Sequence, residues 1–222
     1  ITTGDWSSDV CSSDLLLAPA ADLNGSQRYT MLYGQGLAIT AVQATGVFQT
    51  IANKGVRVPP SLVESTTAPD GTVSAPAPAE GQRVVSESTA TQMSQMLEEV
   101  TQPGGTAPMV AIHGYRVAGK TGTANRVEEG RGYVGSGYTV SFIGYAPAED
   151  PQFVISVIVQ KPALDHPGSG AICGPVFKDV MTYALARYQI PPTGEAAAVV
   201  PLTTAPQTPG APGVVSDRRP NG

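Results

Sequence analysis

The residues best suited to chemistry follow one another in the chain: Lys120, Thr121, Gly122 and Thr123. A lysine ammonium and two threonine hydroxyls can together bind a carboxylate. Gly122 has no side chain, so an extended peptide could lie against this segment as an added strand. The backbone N–H of Thr123 could donate to an oxygen that becomes negative during acyl transfer. By residue types alone, these positions are compatible with a carboxylate-binding strand edge, but a solvated strand charge at Lys120 is the favoured interpretation without further motifs.

Strands are expected to position this segment. An apolar strand start at residues 115–118 leads directly into Lys120. Residues 138–146 and 153–160 are rich in β-branched and aromatic side chains, and the short connection between them predicts an antiparallel hairpin. The glycine-rich stretch 130–137 is expected to be a mobile loop after the Lys120 strand. Thr121 and Thr123 are two residues apart, which places both side chains on one face of a strand. Threonine is also a common strand residue, so the two could be ordinary β-formers, and this interpretation does not conflict with a binding role.

Three helices are expected around these strands. The first covers residues 40–54, with Thr40 as its N-cap and Gly55 just beyond its end. The second begins at Ser86 or Ser88 and continues to about residue 100. The third begins with Pro175 in its first turn and continues to about residue 188. On the second helix, spacings of three and four predict a buried stripe, formed by Met93, Met96, Leu97 and Val100.

Composition excludes several classes of protein. Only 14% of the 222 residues are charged, and 45 are glycine or proline (25 plus 20), which predicts long irregular stretches around one domain. The net charge of -5 and the lack of a basic cluster argue against nucleic-acid binding. Two cysteines and two histidines are too few for the usual zinc sites. No metal and no organic cofactor is expected, and His113 and His166 are interpreted as loop residues without a catalytic role.

The two ends of the chain differ from its middle. Residues 4–15 repeat Ser-Ser-Asp without helical or strand periodicity, and they resemble translated sequencing adapter. We therefore expect residues 1–28 to be a non-native and linker segment. Residues 29–190 would form the folded domain. Residues 191–222 contain seven prolines and are expected to be a disordered tail.

Several further motifs carry a resemblance to a known family. A Lys-Thr-Gly triplet is a signature of penicillin-binding proteins and serine β-lactamases. The middle of the chain resembles the transpeptidase domain of class B penicillin-binding proteins, in its septal, cell-division and actinobacterial form. The matching segments, in the family's order, are Tyr33-Gly34-Gln35-Gly36-Leu37, Ile51-Ala52-Asn53-Lys54-Gly55, Val117-Ala118-Gly119-Lys120-Thr121-Gly122-Thr123-Ala124, Ser141-Phe142-Ile143-Gly144-Tyr145-Ala146-Pro147 and residues 171–181.

The resemblance implies a fold and a function. The fold would be α+β, an incomplete penicillin-binding transpeptidase or serine β-lactamase-like fold with an antiparallel sheet packed against helices. The parent protein would cross-link peptidoglycan stem peptides through a serine acyl-enzyme and would also bind β-lactams. It would be anchored in the plasma membrane with this domain on the extracytoplasmic side, and would work with membrane proteins of the divisome. Lys120, Thr121, Gly122 and Thr123 would bind the D-Ala-D-Ala peptide, with the Thr123 N–H as an oxyanion donor.

The sequence departs from the family at the nucleophile. The family uses a Ser-x-x-Lys motif, in which the serine is acylated. No lysine of this chain has a serine three residues before it, since those positions hold Ile51, Val117, Ile158 and Pro175. Ser-x-Asn is absent as well. Both motifs precede Tyr29 in the family, so we expect a truncation and a chain that is inactive by itself.

Two other functions are compatible with these residues. A serine β-lactamase or D,D-carboxypeptidase would pass the acyl group to water instead of an amine. A non-catalytic penicillin-binding-like sensor would keep the fold and Lys120 without a nucleophile. Among the remaining residues, Cys173 is expected to be a small packed side chain. Tyr133 and Tyr138 border the glycine-rich loop and are candidates for lining a substrate groove.

Overall fold

The computed structural model describes residues 22, 25–30, 34, 39–77, 79–126, 137–163 and 168–194. In chain order the helices are α1 (Gly25–Thr30), α2 (Ala41–Ala52), α3 (Glu87–Glu99) and α4 (Ser169–Arg187). The strands are β1 (Val56–Arg57), β2 (Thr66–Thr67), β3 (Val73–Ser74), β4 (Gln82–Arg83), β5 (Ala118–Asn125), β6 (Tyr138–Ala146) and β7 (Phe153–Gln160). A short 3₁₀ helix covers Pro108–Val110.

The main sheet is antiparallel and has the strand order β5-β6-β7. The strand β6 lies in the middle of the sheet, and all but three of its residues are buried. The hairpin predicted over residues 138–160 is confirmed, with the bounds that the β-branched and aromatic residues indicated. The strand that carries Lys120 pairs with β6, so that Lys120 lies opposite Ile143.

One face of this sheet is covered by α4. Phe142 of β6 meets Phe177 of α4 edge to face, with ring centroids 4.7 Å apart. Cys173, Met181 and Leu185 of the same helix are buried against the sheet. This is the larger part of the hydrophobic core, and the expectation that Cys173 is a small packed residue is confirmed. Tyr138 also packs against it, partly buried.

The helices α2 and α3 cover the other face. Leu97 of α3 and Tyr145 of β6 form a smaller buried cluster there, together with Ala118 and Ala148. Phe48 and Ile51 of α2 pack against this cluster from outside. The sheet therefore lies between two layers of helices, and the expected α+β arrangement of helices around an antiparallel sheet is confirmed.

The predicted ends of α2 and α3 agree with the structure. Thr40 caps α2 in a full capping box, because its side chain accepts from the Gln43 backbone N–H while the Gln43 side chain accepts from the Thr40 N–H. Gly55 follows with φ at +86°. Only glycine fits there, since a Cβ would lie 2.3 Å from the Val85 carbonyl oxygen. Ser86 is the N-cap of α3.

The predicted start of α4 is wrong. The helix begins at Ser169, and Pro175 lies inside it instead of in its first turn. The early turns are held by packing: Gly170 lies against the Thr106 carbonyl, and Gly174 lies against Met109 and Val110, at distances that exclude a Cβ. These contacts stabilise two additional turns although proline removes a hydrogen-bond donor.

The predicted core stripe of α3 is only partly correct. Leu97 is buried, but Met93 and Met96 are 39% and 52% exposed. The buried stripe of α3 instead contains Ala90, Leu97 and Glu98. A sequence pattern ranks Glu98 as a surface residue, and only its partner on another element makes its burial favourable.

Several predictions lie outside the described residues. They are the adapter-like segment, Tyr133 with most of the glycine-rich loop, His166, and the tail beyond residue 194. His113 is described and is exposed, as expected for a loop residue. Among the described helices, none combines the length and apolar character that crossing a bilayer requires.

Candidate active site

The candidate site lies on β5, an edge strand of the three-stranded sheet. Its burial changes along its length: Ala118 and Gly119 are buried, whereas Thr123 is exposed, as are the two residues that follow. An edge strand presents backbone groups that its own sheet does not use. The second half of β5 is therefore accessible to an added peptide strand.

The alternation of hydrogen bonds shows which backbone groups point outward. At the open end of the hairpin the Arg126 N–H donates to the Gly137 carbonyl at 2.9 Å. The backbone N–H and C=O groups of even-numbered residues in this strand therefore point toward β6, and those of odd-numbered residues point toward the outer edge. Consistent with that, the Val117 carbonyl accepts from the side chain of Thr101, and the Thr121 carbonyl accepts from the Lys120 side chain, which bends around the edge. The N–H of Thr123 shares this direction and points to the outer edge.

Lys120 projects from the face that α2 and α3 cover, and its side chain is exposed. Its Nζ donates to the Thr121 carbonyl at 2.9 Å and lies 3.4 Å from the Thr121 Oγ1. The ammonium thus bends around the edge of β5 toward the threonine hydroxyl. Lys120 and Thr121 converge at one place even though their side chains leave opposite faces of the strand.

Thr121 and Thr123 share the opposite face, as their spacing predicts. The Thr121 hydroxyl lies 3.0 Å from the hydroxyl of Thr106, and Thr123 Oγ1 donates to Ser169 Oγ at 3.1 Å. Thr106 belongs to the loop after α3, and Ser169 is the first residue of α4. The sequence analysis missed both partners, because each is a common polar residue in a glycine-rich stretch with no motif to mark it.

Gly122 has a packing role in addition to the expected one. A Cβ at this position would lie 2.5 Å from Ser141 Oγ of the neighbouring strand. Gly119 is restricted more severely, since its Cβ would meet the Phe142 ring at 2.5 Å. These two glycines leave room for the Ser141 and Phe142 side chains of β6 on either side of Lys120.

A buried ion pair fixes the start of the strand. Arg116 donates to both carboxylate oxygens of Glu98, each at 2.8 Å, and the Glu98 side chain is only 1% exposed. A second carboxylate, Glu149, lies 4.0 Å from the same guanidinium. The planar guanidinium fork suits this bidentate geometry. The sequence shows no signal for this pair, because its partners are eighteen residues apart.

The phenol of Tyr145 lies close to this pair. Burial raises the pKa of Tyr145 to about 12, the nearby Ser94 side chain acts in the opposite direction, and the charge of Glu98 adds to the rise. Burial also raises the pKa of the Cys173 thiol. Both side chains are therefore neutral at ordinary pH, and neither has the low pKa of an activated nucleophile.

The described residues contain no group of three or more acidic, histidine or cysteine side chains placed to hold a metal. What they do contain is a cation, two oriented hydroxyls and an outward backbone N–H along one exposed edge. This set can bind a carboxylate and polarise a carbonyl.

Comparison with known proteins identifies the group to which this edge strand belongs. A family model described as penicillin binding protein transpeptidase domain matches residues 16–182, well over half of the chain. The chain belongs to the penicillin-binding transpeptidase family. The match begins directly after the Ser-Ser-Asp repeat and includes the whole of β5. It confirms the family that the Lys120 motif and its neighbours indicated.

Curated relatives of this chain include penicillin-binding proteins and a peptidoglycan D,D-transpeptidase. Penicillin-binding protein PbpB of Mycolicibacterium smegmatis is 40% identical over 184 residues, which is 79% of this chain and 28% of the relative. PbpB of Mycobacterium tuberculosis is 38% identical over the same length and 27% of the relative. The peptidoglycan D,D-transpeptidase FtsI of Escherichia coli is 35% identical over 75% of this chain. The chain spans less than a third of the length of these relatives.

Solved structures agree with the sequence comparison. Penicillin-binding protein 3 of M. tuberculosis, crystallised with ampicillin, has a TM-score of 0.75 and 35% identity over 84% of this chain and 43% of the solved one. The transpeptidase domain of Burkholderia pseudomallei penicillin-binding protein 3 has a TM-score of 0.68 at 35% identity. The expected fold class, a part of the penicillin-binding transpeptidase fold, is confirmed.

Proposed function

We propose that this chain is the C-terminal part of a serine-type D,D-transpeptidase domain that cross-links peptidoglycan stem peptides. The observation that carries the proposal is the open half of β5, where the Lys120 ammonium meets Thr121 and the Thr123 N–H points to the same outer edge. Relatives named peptidoglycan D,D-transpeptidase, and solved relatives crystallised with ampicillin or aztreonam, support it.

The proposed reaction has two steps. A serine supplied by a part of the protein outside this chain attacks the carbonyl between the two D-alanines of a stem peptide. An ester forms, the amide bond breaks, and the terminal D-alanine leaves with a proton on its nitrogen. An amine of a neighbouring stem peptide then attacks the ester, which forms the cross-link and restores the serine hydroxyl.

The residues of β5 have separate roles in this proposal. Lys120 and the hydroxyls of Thr121 and Thr123 bind the terminal carboxylate, which the cation stabilises most. The Thr123 N–H donates to the oxygen that becomes negative as the serine attacks. Gly122 has no side chain, so that the peptide backbone can approach the strand closely between Thr121 and Thr123. A β-lactam would use the same contacts through its own carboxylate.

The setting of the parent protein is part of the proposal. Its likeness to septal PbpB and FtsI supports a role in cell division, with the domain on the extracytoplasmic side of the plasma membrane, a membrane anchor elsewhere in the protein, and divisome membrane proteins as partners. The chain described here supplies the carboxylate-binding strand of that protein.

Fluorescent penicillin tests the proposal on the isolated chain and on the full-length product of its gene. We expect stoichiometric, heat-stable labelling of the full-length protein and none of the chain alone. Lys120→Ala should lower the second-order acylation constant of the full-length protein about 10- to 100-fold, because it removes a charge-assisted hydrogen bond. Lys178→Ala is the matched control, since Lys178 is exposed on α4.

Three results would contradict the proposal in different ways. Heat-stable labelling of the isolated chain would show a nucleophile within these 222 residues. A full-length protein that takes up no label would indicate the non-catalytic sensor. Rapid release of the label to water, with no transfer to an added amine, would indicate a β-lactamase or carboxypeptidase.

A further inference from the structure

We propose that Thr106, assisted by Thr101, determines the specificity of the candidate site for a peptide that ends in a free carboxylate. The two threonines close the outer edge of β5 on the N-terminal side of Thr121. A peptide bound along the open half of the strand must then end at Thr121. This inference rests on the proposed function, because it concerns the substrate of the same edge.

The closure starts at the end of α3. The Thr101 hydroxyl donates to the Val117 carbonyl at 2.8 Å, and Thr101 itself is 2% exposed. Val117 is one of the residues whose carbonyl points to the outer edge, so this bond occupies a position that an added strand would use. The next outward-facing residue, Gly119, is buried as well. The first half of the edge is therefore inaccessible to a peptide.

Thr106 lies where the edge becomes accessible. Its hydroxyl is 3.0 Å from the hydroxyl of Thr121, and its side chain is exposed beside the equally exposed Lys120. Either hydroxyl can donate in this pair. Thr106 thus limits the rotation of the Thr121 hydroxyl and adds a polar wall at the end of the open segment, next to the lysine ammonium.

The loop that carries Thr106 is held tightly. A Cβ at Gly105 would lie 2.3 Å from the Glu99 carbonyl oxygen, and a Cβ at Gly170 would lie 2.5 Å from the Thr106 carbonyl oxygen. The Ala107 N–H also donates to the Val100 carbonyl at 2.9 Å. Because the loop is packed between α3 and α4, Thr106 cannot move aside without disturbing both helices.

These contacts favour one class of peptide over another. A terminal carboxylate at Thr121 meets the ammonium and the oriented hydroxyl. A peptide that continued past this point would have to displace Thr106 and bury its extra residue against Gly119. A C-terminal amide would fit the space but would lose the charge-assisted contact with Lys120.

Binding of three labelled peptides to the full-length protein tests this proposal. The peptides are N-terminally fluorescein-labelled L-Lys-D-Ala-D-Ala, its C-terminal amide, and the same peptide extended by one glycinamide, which continues the chain without a new carboxylate. Fluorescence anisotropy gives each dissociation constant. We expect the free carboxylate to bind at least about ten-fold more tightly than the other two. The full-length protein used here carries alanine in place of its nucleophilic serine, so the readout is equilibrium binding without acylation.

Variants of Thr106 separate its two effects. Thr106→Val keeps the bulk and removes the hydroxyl, so the preference for carboxylate over amide should fall about five-fold while the extended peptide stays excluded. Thr106→Ala removes the bulk too, and should improve binding of the extended peptide roughly ten-fold. Thr106→Ser should restore the carboxylate preference. Thr91→Val, on the exposed surface of α3, is the control and should bind like the original protein.

Two outcomes would overturn the inference. In one, the unmodified protein binds the extended peptide as tightly as the one ending in D-alanine. In the other, the valine and alanine variants discriminate as the original protein does. A full-length protein that no penicillin labels would refute the acyl-transfer function but would still give these binding ratios, so the two failures are distinguishable.

Discussion

The two faces of the main sheet are built in different ways. The face under α4 is closed by apolar packing, with Phe142, Phe177 and Met181 all fully buried. The face under α2 and α3 has a smaller apolar cluster and contains the buried ion pair between Glu98 and Arg116. The candidate site lies at the boundary between them, since Lys120 leaves one face and Thr121 the other.

This difference separates stability from positioning. Apolar packing is non-directional, so the α4 face can stabilise the sheet without fixing where a particular atom lies. A bidentate ion pair is directional, and it holds the residues that lead into Lys120 against the end of α3. The polar face therefore controls the geometry of the site, while the apolar face contributes most of the stabilisation.

The largest expected effect comes from breaking the apolar face. Phe177→Ala should lower the free energy of unfolding by about 3–5 kcal/mol, because it leaves a cavity beside Phe142. Denaturant unfolding of the full-length protein, followed by circular dichroism, measures the loss. Phe177→Leu should cost clearly less. Equal losses for the two substitutions would show that the helix repacks and that the aromatic pair is not a centre of the core.

Breaking the polar face should cost somewhat less. Arg116→Met leaves Glu98 buried without its partner, and the expected loss is about 3 kcal/mol. The double change Glu98→Leu with Arg116→Met removes both charges and should recover most of that loss. The same unfolding measurement compares the two. If the double variant is no more stable than the single one, the pair contributes through shape and not through charge.

The smallest expected effect concerns alkaline pH. The pKa of Tyr145 is raised to about 12 in the folded protein, above its ordinary value of 10.0, because the neutral phenol is favoured by burial. The associated stabilisation, at most about 3 kcal/mol, is fully present below pH 10 and is lost as the pH rises to about 12. Unfolding free energies measured from pH 8 to 12 should therefore fall less steeply for Tyr145→Phe than for the original protein.

Tyr183→Phe is the control for this pH series, since Tyr183 is 70% exposed. It should follow the original protein across the range. If Tyr145→Phe loses stability with pH as steeply as this control does, the buried phenol does not contribute to the alkaline loss.

Local sequence patterns predicted the elements well where neighbouring residues decide the structure. The capping box at Thr40, the glycine at residue 55 and the alternation in β6 all act within a few residues, so their signals are visible in the chain. The segment Lys120–Thr123 was proposed as a site from its residue types together with the family resemblance of the segments around it. Its alternation on β5 follows from the period of a strand.

The errors have a common cause. Pro175 suggested a helix start, and Met93 and Met96 suggested a buried stripe, but contacts between distant segments decided otherwise. Gly170 packs closely on the Thr106 carbonyl, and Gly174 packs closely on the 3₁₀ helix. Because of these contacts α4 continues upstream of Pro175. Such contacts join residues about sixty positions apart, and propensity does not predict them.

The sequence by itself determined the family, the strand that carries Lys120 and the residue types that suit a peptide carboxylate, because these depend on the order of neighbouring residues. Only the tertiary structure decided that Thr106 and Ser169 contact the two threonines, that Arg116 pairs with Glu98, and that half of the β5 edge is closed. The physical reason is that hydrogen bonds and ion pairs of this kind form across space, between segments that only the packed sheet and helices bring together.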